Sequence, residues 1–382
     1  MPLTRRTFFH AAGATAVGSL LAPYLSGRGL EARTVEDITE SVLPRRRATH
    51  DIRLNSNENP NGPGKVALEA VGNALDEANR YPHSSITALR DALAAKHNVR
   101  GENIVLGCGS TDILRASVYA FCGADRGLVT ASPSFESPPG DARKIGAPVR
   151  EVSVTGDLRL DLDRMAAAAK GAGLVYLCNP NNPTSTVHGA SAVNDFAARL
   201  ARESPATSIL VDEAYHEYVD DPAYRTAVPL ALANPRVIVA RTFSKVFGMA
   251  GMRVGYAVGD AQTMKLLAAQ TLTLGVNHLA AFAAGVSLAD AKHIEREQAL
   301  NRASRAYTLK MFRDAGYTCA DSQANFVMIN LRRDAQPFRD ACRKAGVLVG
   351  RPFPPLDTYI RISIGTMDEM QRAGAVFMRA IA

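Results

Sequence analysis

The residues best suited to chemistry are concentrated in one stretch, Arg241-Thr-Phe-Ser-Lys-Val-Phe-Gly-Met-Ala-Gly-Met-Arg-Val-Gly255. Two hydroxyls, Thr242 and Ser244, stand beside Lys245, followed by Gly248, Gly251 and a second cation, Arg253. Hydroxyls and an arginine give a phosphate donors and fixed positive charge. A neutral lysine amine forms a Schiff base with a carbonyl. One cofactor with an aldehyde and a phosphate meets both demands, pyridoxal 5′-phosphate (PLP). Taken alone, the stretch reads equally as a strand followed by a loop with surface cations.

Further stretches supply groups that such a ligand needs. Asp212 ends Ser208-Ile-Leu-Val-Asp212, where a carboxylate is partly desolvated and costly unless paired. A pyridinium nitrogen suits it, and Tyr215 can then donate to the ring's phenolic oxygen. Asn182, between Pro180 and Pro183, can hydrogen-bond a ligand hydroxyl. Ser110 and Thr111 follow the turn Gly107-Cys-Gly109 at the start of a helix, where free N–H groups and the dipole can cradle a phosphate. Ser110 is equally a plain helix cap. Phe135 either stacks on a flat heteroaromatic ring or packs in the core. Arg361 interrupts an apolar run, and a buried arginine usually binds an anion such as a substrate carboxylate. His216-Glu-Tyr-Val-Asp220 lacks the second histidine of a zinc pattern, so no metal is expected.

These residues fall at the ends of apolar runs, which fits a site assembled along one edge of a sheet. Val237–Ala240 reads as a buried parallel-type strand, with others at 103–106, 128–130, 174–178 and 208–211. Helical spacing covers Lys65 to Asn79, with Val66, Leu68, Val71 and Leu75 as its apolar positions, and Ile86 to Lys96. Helices are also expected over 111–121, 261–288, 294–315 and 336–345, the last stopped by Gly346. Residues 347–353 and 359–366 read as two strands of a small C-terminal sheet. The pattern is that of an α/β protein.

In chain order the sequence contains Leu54-Asn-Ser-Asn-Glu-Asn-Pro60, Arg80-Tyr-Pro82, Gly107-Cys-Gly-Ser-Thr-Asp112, Asn179-Pro-Asn-Asn-Pro-Thr184, Asp212-Glu-Ala-Tyr215, Thr242-Phe-Ser-Lys245, Gly251-Met-Arg-Val-Gly255, Ala324-Asn-Phe326 and Arg361-Ile-Ser-Ile-Gly-Thr366. Together these resemble the fold-type I PLP aminotransferases of class I/II, especially the histidinol-phosphate aminotransferase branch, over residues 50–382. The resemblance implies a large PLP-binding domain with a mostly parallel seven-stranded sheet flanked by helices, plus a smaller α/β C-terminal domain. Residues 51–80 would belong to the small domain, 81–290 to the large one and 291–382 to the small one again.

By position, Lys245 resembles the Schiff-base lysine and proton shuttle. Asp212 resembles the pyridinium partner, with Asn182 and Tyr215 at the ring oxygen. Ser110, Thr111, Thr242, Ser244 and Arg253 resemble the phosphate cup, and Phe135 the stacking ring. Tyr81 resembles the tyrosine that reaches the neighbouring subunit's phosphate, which implies a homodimer. Asn57, Arg361 and Arg351 fall at substrate-binding positions. Departures are Phe135 in place of tyrosine, Ser185 in place of glycine, no tyrosine ahead of Asn55, and a shifted spacing from Arg351 to Arg361.

The implied reaction is ping-pong transfer of an amino group between an L-amino acid, or a similar amine, and a 2-oxo acid. Histidinol phosphate as donor, or a decarboxylase or lyase of the same fold, are the alternatives. A PLP-sensing regulator would carry a DNA-binding domain ahead of this fold.

Composition agrees with a soluble globular protein. The 382 residues are 47% hydrophobic and 21% charged, with a net charge of +7 and no basic stripe interleaved with aromatics, so no nucleic-acid partner is expected. Five scattered cysteines form no Cys-x-x-Cys pair. Thr4-Arg-Arg-Thr-Phe-Phe9 followed by the short apolar stretch Ala11 to Leu25 resembles a twin-arginine signal, too short to span a membrane. This predicts a signal over 1–32, a linker over 33–50, export of the folded protein to the periplasm, and no stable membrane association once the signal is removed. The alternative is an amphipathic first helix on a cytoplasmic protein.

Overall fold

A computed structural model describes residues 51–381; the expected signal and linker lie outside the described residues. The first elements are β1 (Ile52–Leu54), α1 (Lys65–Asn73) and α2 (His83–His97). Strands and helices then alternate through β2 (Ile104–Cys108), α3 (Ser110–Phe121), β3 (Gly127–Ser132), α4 (Ser137–Lys144), β4 (Val149–Ser153), α5 (Leu162–Ala168), β5 (Ala172–Cys178), α6 (Ala190–Glu203), β6 (Ser208–Asp212), α7 (Val228–Ala233), β7 (Val237–Thr242) and β8 (Val254–Gly259). After them come α8 (Ala261–Ala268), α9 (His278–Ser287), α10 (Ala291–Asp314), β9 (Thr318–Cys319), β10 (Phe326–Asn330), α11 (Gln336–Lys344), β11 (Val347–Val349), β12 (Tyr359–Ser363) and α12 (Met367–Ile381).

Strands β2 to β8 form a seven-stranded sheet in the order β2-β8-β7-β6-β5-β3-β4. Only β8 runs against its neighbours, so the sheet is mostly parallel, as expected. Strands β5 to β8 are buried along their whole length. That is why they read as continuous apolar runs: helices cover both faces. Alternation divides each strand between two cores. Val175, Val211 and Val239 pack on one side, and Leu174, Leu210 and Ile238 on the other.

A third core draws on both ends of the described chain. It joins Ile52 and Leu54 of β1 to Phe312, Val327, Phe338, Val347, Ile362 and Phe377. Here the expectation of one small C-terminal sheet containing both segments is corrected. β11 pairs in parallel with β1, while β12 pairs with β10, so 347–353 and 359–366 are not partners in one ladder. A single bond from Gly350 N to the Arg361 carbonyl at 2.9 Å links them. Pro352, Pro354 and Pro355 have no N–H with which to extend a ladder.

Two helix expectations also change. α1 stops at Asn73 and buries Ala67, whereas Val66, Leu68 and Leu75 are exposed in this chain. The span 261–288 is two helices, because Asn277 starts α9 afresh by accepting the Ala280 N–H at 2.9 Å.

The ends of β6 and β7 are locked together beneath the candidate site. Arg241 Nη2 lies 2.7 Å from Glu213 Oε2, with both side chains almost fully buried. Glu213 also accepts from Thr226 Oγ1 at 2.8 Å and Ala227 N at 2.6 Å. Removing one partner strands a buried charge, which costs about 3–5 kcal/mol. Arg241→Ala should therefore lose stability of that order in chemical denaturation of the PLP-free protein. A loss below about 1 kcal/mol, the range of an exposed pair, would contradict this role.

Candidate active site

Carboxyl ends of the sheet strands and segments near β1, β11 and β12 surround a cavity of about 370 Å³. Among its walls are Ser110 and Thr111 from α3, Phe135 after β3, Asn182 after β5, Asp212 and Tyr215 at the end of β6, and Thr242, Ser244, Lys245 and Arg253 between β7 and β8. Asn57, Arg351 and Arg361 complete it. Every residue singled out from the sequence lines this cavity except Tyr81, which is 79% exposed and stands outside it.

Asp212 marks the deep end. Its side chain accepts from Tyr176 Oη at 2.8 Å and from the Ala214 N–H at 3.1 Å. Burial still pushes its pKa up to about 6, above the ordinary carboxylate value. A cation is therefore wanted beside it. Lys245 Nζ donates to the Asn57 carbonyl at 3.1 Å and sits 5.3 Å from the centre of the Tyr215 ring. Burial, and then the charge of Arg361, lower its pKa to about 8. Tyr215 Oη accepts from Asn57 Nδ2 at 3.2 Å, and burial raises its own pKa.

The opposite end is built for an anion. α3 begins at Ser110 with no side-chain cap; the Asp112 N–H is taken up by the Gly109 carbonyl at 3.2 Å, which leaves the N–H groups of Ser110 and Thr111 without partners in the helix. Ser110 is therefore not the cap; Gly109 is, with φ of 74°. A Cβ on Gly109 would fall 2.2 Å from Arg253 Nη2, so only glycine lets that guanidinium close over the helix start. Arg253 Nη1 also donates to the Ala250 carbonyl at 3.0 Å and to Ser244 Oγ at 3.4 Å.

Arg361 is 7% exposed. Its Nη1 donates to Asn182 Oδ1 at 2.6 Å and its Nη2 to the Asn55 carbonyl at 2.7 Å, while Nε has no partner among the described residues. Asn182, expected to bind only a ligand, thus also orients Arg361.

Several contributors were not singled out. Tyr176 holds Asp212, and Ser363 and Asn325 hold Asn57. Asn57 N donates to Ser363 Oγ at 2.8 Å, and Asn325 Nδ2 donates to the Asn57 carbonyl at 3.0 Å. The available signal was a tyrosine inside the apolar run Leu174-Val-Tyr-Leu177 and two polar residues inside recognised motifs. Cys178, Glu58 and Glu136 also line the cavity.

The family model for aminotransferase class I and II matches residues 49–377. The chain belongs to the class I and II aminotransferases. A histidinol-phosphate aminotransferase of Symbiobacterium thermophilum is 38% identical, covering 92% of this chain and 94% of that protein. An aromatic amino acid aminotransferase of Nocardia farcinica is 36% identical, covering 89% and 95%. The crystal structure of a Sinorhizobium meliloti histidinol-phosphate aminotransferase in complex with pyridoxal-5′-phosphate superposes with a TM-score of 0.81 at 28% identity, over 86% of this chain and 90% of that one.

The enzyme is a PLP-dependent aminotransferase, and the cavity fits that cofactor on its own evidence. It offers an anion cradle at α3, a lysine amine with a lowered pKa, and a buried carboxylate short of positive charge. In PLP-free protein, half of the Lys245 amine should be neutral near pH 8. The neutral amine is the form that attacks an aldehyde, so the rate of PLP capture should climb as pH rises through about 8 and level off above it. Stopped-flow absorbance measures this. A rise delayed to the ordinary lysine range near 10.4 would contradict the site's effect on Lys245.

Proposed function

We propose that this enzyme moves an amino group between a free L-amino acid and a 2-oxo acid, the two half-reactions using one site in turn. The observation that carries the reading is Arg361, a buried guanidinium inside the cavity with Nε unpartnered among the described residues. A carboxylate taken in a two-point bond would satisfy Nε and strengthen the Nη2 end. Phe135 lines the cavity and offers apolar surface to the donor side chain, while Phe353 packs behind Arg361, its ring centre 4.8 Å from Arg361 Cζ.

Bound PLP supplies an electron sink that makes the donor's Cα–H acidic. The chain's own groups do the rest. Ser110, Thr111, Thr242, Ser244 and Arg253 would hold the phosphate, and Phe135 would lie against the ring. Asp212, fixed by Tyr176 and the Ala214 N–H, would keep a proton on the ring nitrogen. Asn182 and Tyr215 would serve the ring oxygen. Lys245 would hold the cofactor's aldehyde end and, as a free amine, would take the donor's Cα proton and deliver it to the cofactor's aldehyde carbon; its lowered pKa lets it act as a base near neutrality. Asn57 positions both Lys245 and Tyr215.

Histidinol phosphate is the second reading. It is favoured by the names of relatives such as the Symbiobacterium enzyme and by a second cation, Arg351, in the same cavity. A donor panel separates the two, with conversion of bound PLP followed by absorbance. Conversion by L-phenylalanine and other free amino acids is expected, as is complete loss of turnover in a folded Lys245→Ala protein. Conversion by histidinol phosphate alone would overturn the first reading.

The working unit of this reading is a homodimer in which Tyr81 reaches the neighbouring phosphate site. Support comes from the exposure of Tyr81 and of Val66, Leu68, Leu75, Leu272 and Phe282, which lie on or near the packed helices α1 and α9. Export by the twin-arginine route rests on Arg5, Arg6, Phe8 and Phe9. That route admits a folded protein, with its cofactor inserted beforehand. Replacing Arg5 and Arg6 together by lysine should shift the protein from the periplasmic to the cytoplasmic fraction of a bacterial host. An unchanged distribution would favour the cytoplasmic alternative.

A further inference from the structure

Two oppositely charged side chains stand where the cavity opens to solvent. Glu136 follows Phe135 and leads into α4, and Arg351 follows β11. Arg351 Nη2 lies 2.6 Å from Glu136 Oε1, with the side chains 47% and 60% exposed. A pair this open to water adds little to stability. Its position is more informative. Phe353 is 4% exposed and lies between two guanidiniums, with Arg351 Cζ 4.3 Å and Arg361 Cζ 4.8 Å from the ring centre. Arg351 is thus one ring away from the carboxylate site at Arg361.

Without Glu136, that arrangement would be a site for two anions. The other acidic group at the opening, Glu58, is engaged with Arg53 at 2.9 Å. Glu136 is therefore the carboxylate that neutralises Arg351. Its influence extends inward: burial chiefly, with a smaller part from Arg351, lowers the Arg361 pKa to about 10, while Tyr215 and then Glu136 act in the opposite sense.

We infer that Glu136 is a specificity residue: by neutralising Arg351 it leaves Arg361 as the anion site for the donor, so that donors with one anionic group are accepted and donors with a second anion are held off. The second anion can be a side-chain carboxylate or a phosphate monoester. Either must displace Glu136 from Arg351 and then sit beside the displaced carboxylate, and such like-charge juxtaposition discriminates against a ligand more strongly than the lost pair itself. This rests on the reading that Arg361 holds the donor's α-carboxylate.

The test compares wild type, Glu136→Gln and Arg351→Gln as PLP-loaded proteins, with folding checked by circular dichroism. Calorimetry gives dissociation constants for 3-phenylpropionate, with one anion, and glutarate, with two. Wild type should prefer 3-phenylpropionate. Glu136→Gln should shift the ratio toward glutarate by roughly tenfold, and Arg351→Gln should shift it the other way. In parallel, kcat/KM is measured for L-phenylalanine, L-glutamate and O-phospho-L-serine, the last two carrying a carboxylate or a phosphate monoester besides the α-carboxylate. A gain for either doubly anionic donor in Glu136→Gln supports the inference and tells carboxylate from phosphate. If wild type converts L-phenylalanine but both ratios in Glu136→Gln stay within about twofold of wild type, the role of Glu136 falls while the amino-acid reading stands. If wild type converts histidinol phosphate alone, or binds glutarate more tightly, the inference is overturned.

Discussion

A carboxylate held at the end of a buried central strand is the constraint on which this structure turns. Asp212 lies between strands that are themselves buried on both faces, where an uncompensated charge costs several kcal/mol. Tyr176 and the Ala214 N–H offset part of that cost, and Lys245 adds positive charge, yet the carboxyl still titrates near 6. The protein leaves the balance to a bound cation. The cofactor's ring nitrogen fits that demand, and the anion cradle at α3 and the amine of Lys245 fit the two other functional ends of the same molecule.

Strand alternation makes this strain tolerable. Asp212 and Glu213 are neighbours in sequence, as are Arg241 and Thr242, and successive side chains point to opposite sides. Asp212 and Thr242 face the cavity. Glu213 and Arg241 turn away from it and lock β6 to β7 in a buried ion pair. One side of the strand ends is therefore rigid and satisfied, and the other is left short of partners.

The lid of the site comes from distant sequence. Asn57 adopts φ of 54° just after β1, and its carbonyl receives both Lys245 and Asn325. Its side chain meets Tyr215 and Ser363. Arg361 from β12 and Asn182 after β5 close the same ring of contacts. The third core, which packs β1 against β10, β11 and β12, is what brings these pieces to the edge of the seven-stranded sheet.

The sequence by itself determined the chemistry and the sheet. Lys245 and Asp212 were legible because each stands at or just past the end of an apolar run, Ser110 and Arg253 because they stand beside glycine turns, and β5 to β7 were legible because burial on both faces keeps most of their residues apolar, with polar groups only where a partner meets them. Only the tertiary structure decided the partners. Tyr176 looked like one more residue of an apolar run until β5 and β6 lay side by side, and residues 347–349 looked like a strand of the same sheet as 359–363 until β1 paired with them in a sheet of its own. The apolar spacing of α1 likewise announced a covered face, but within this chain Ala67 is buried while Val66 and Leu68 face outward. The physical reason is common to all three. Periodicity records that a side chain or a strand edge must be satisfied, whereas the group that satisfies it is fixed by contacts between segments far apart in the chain.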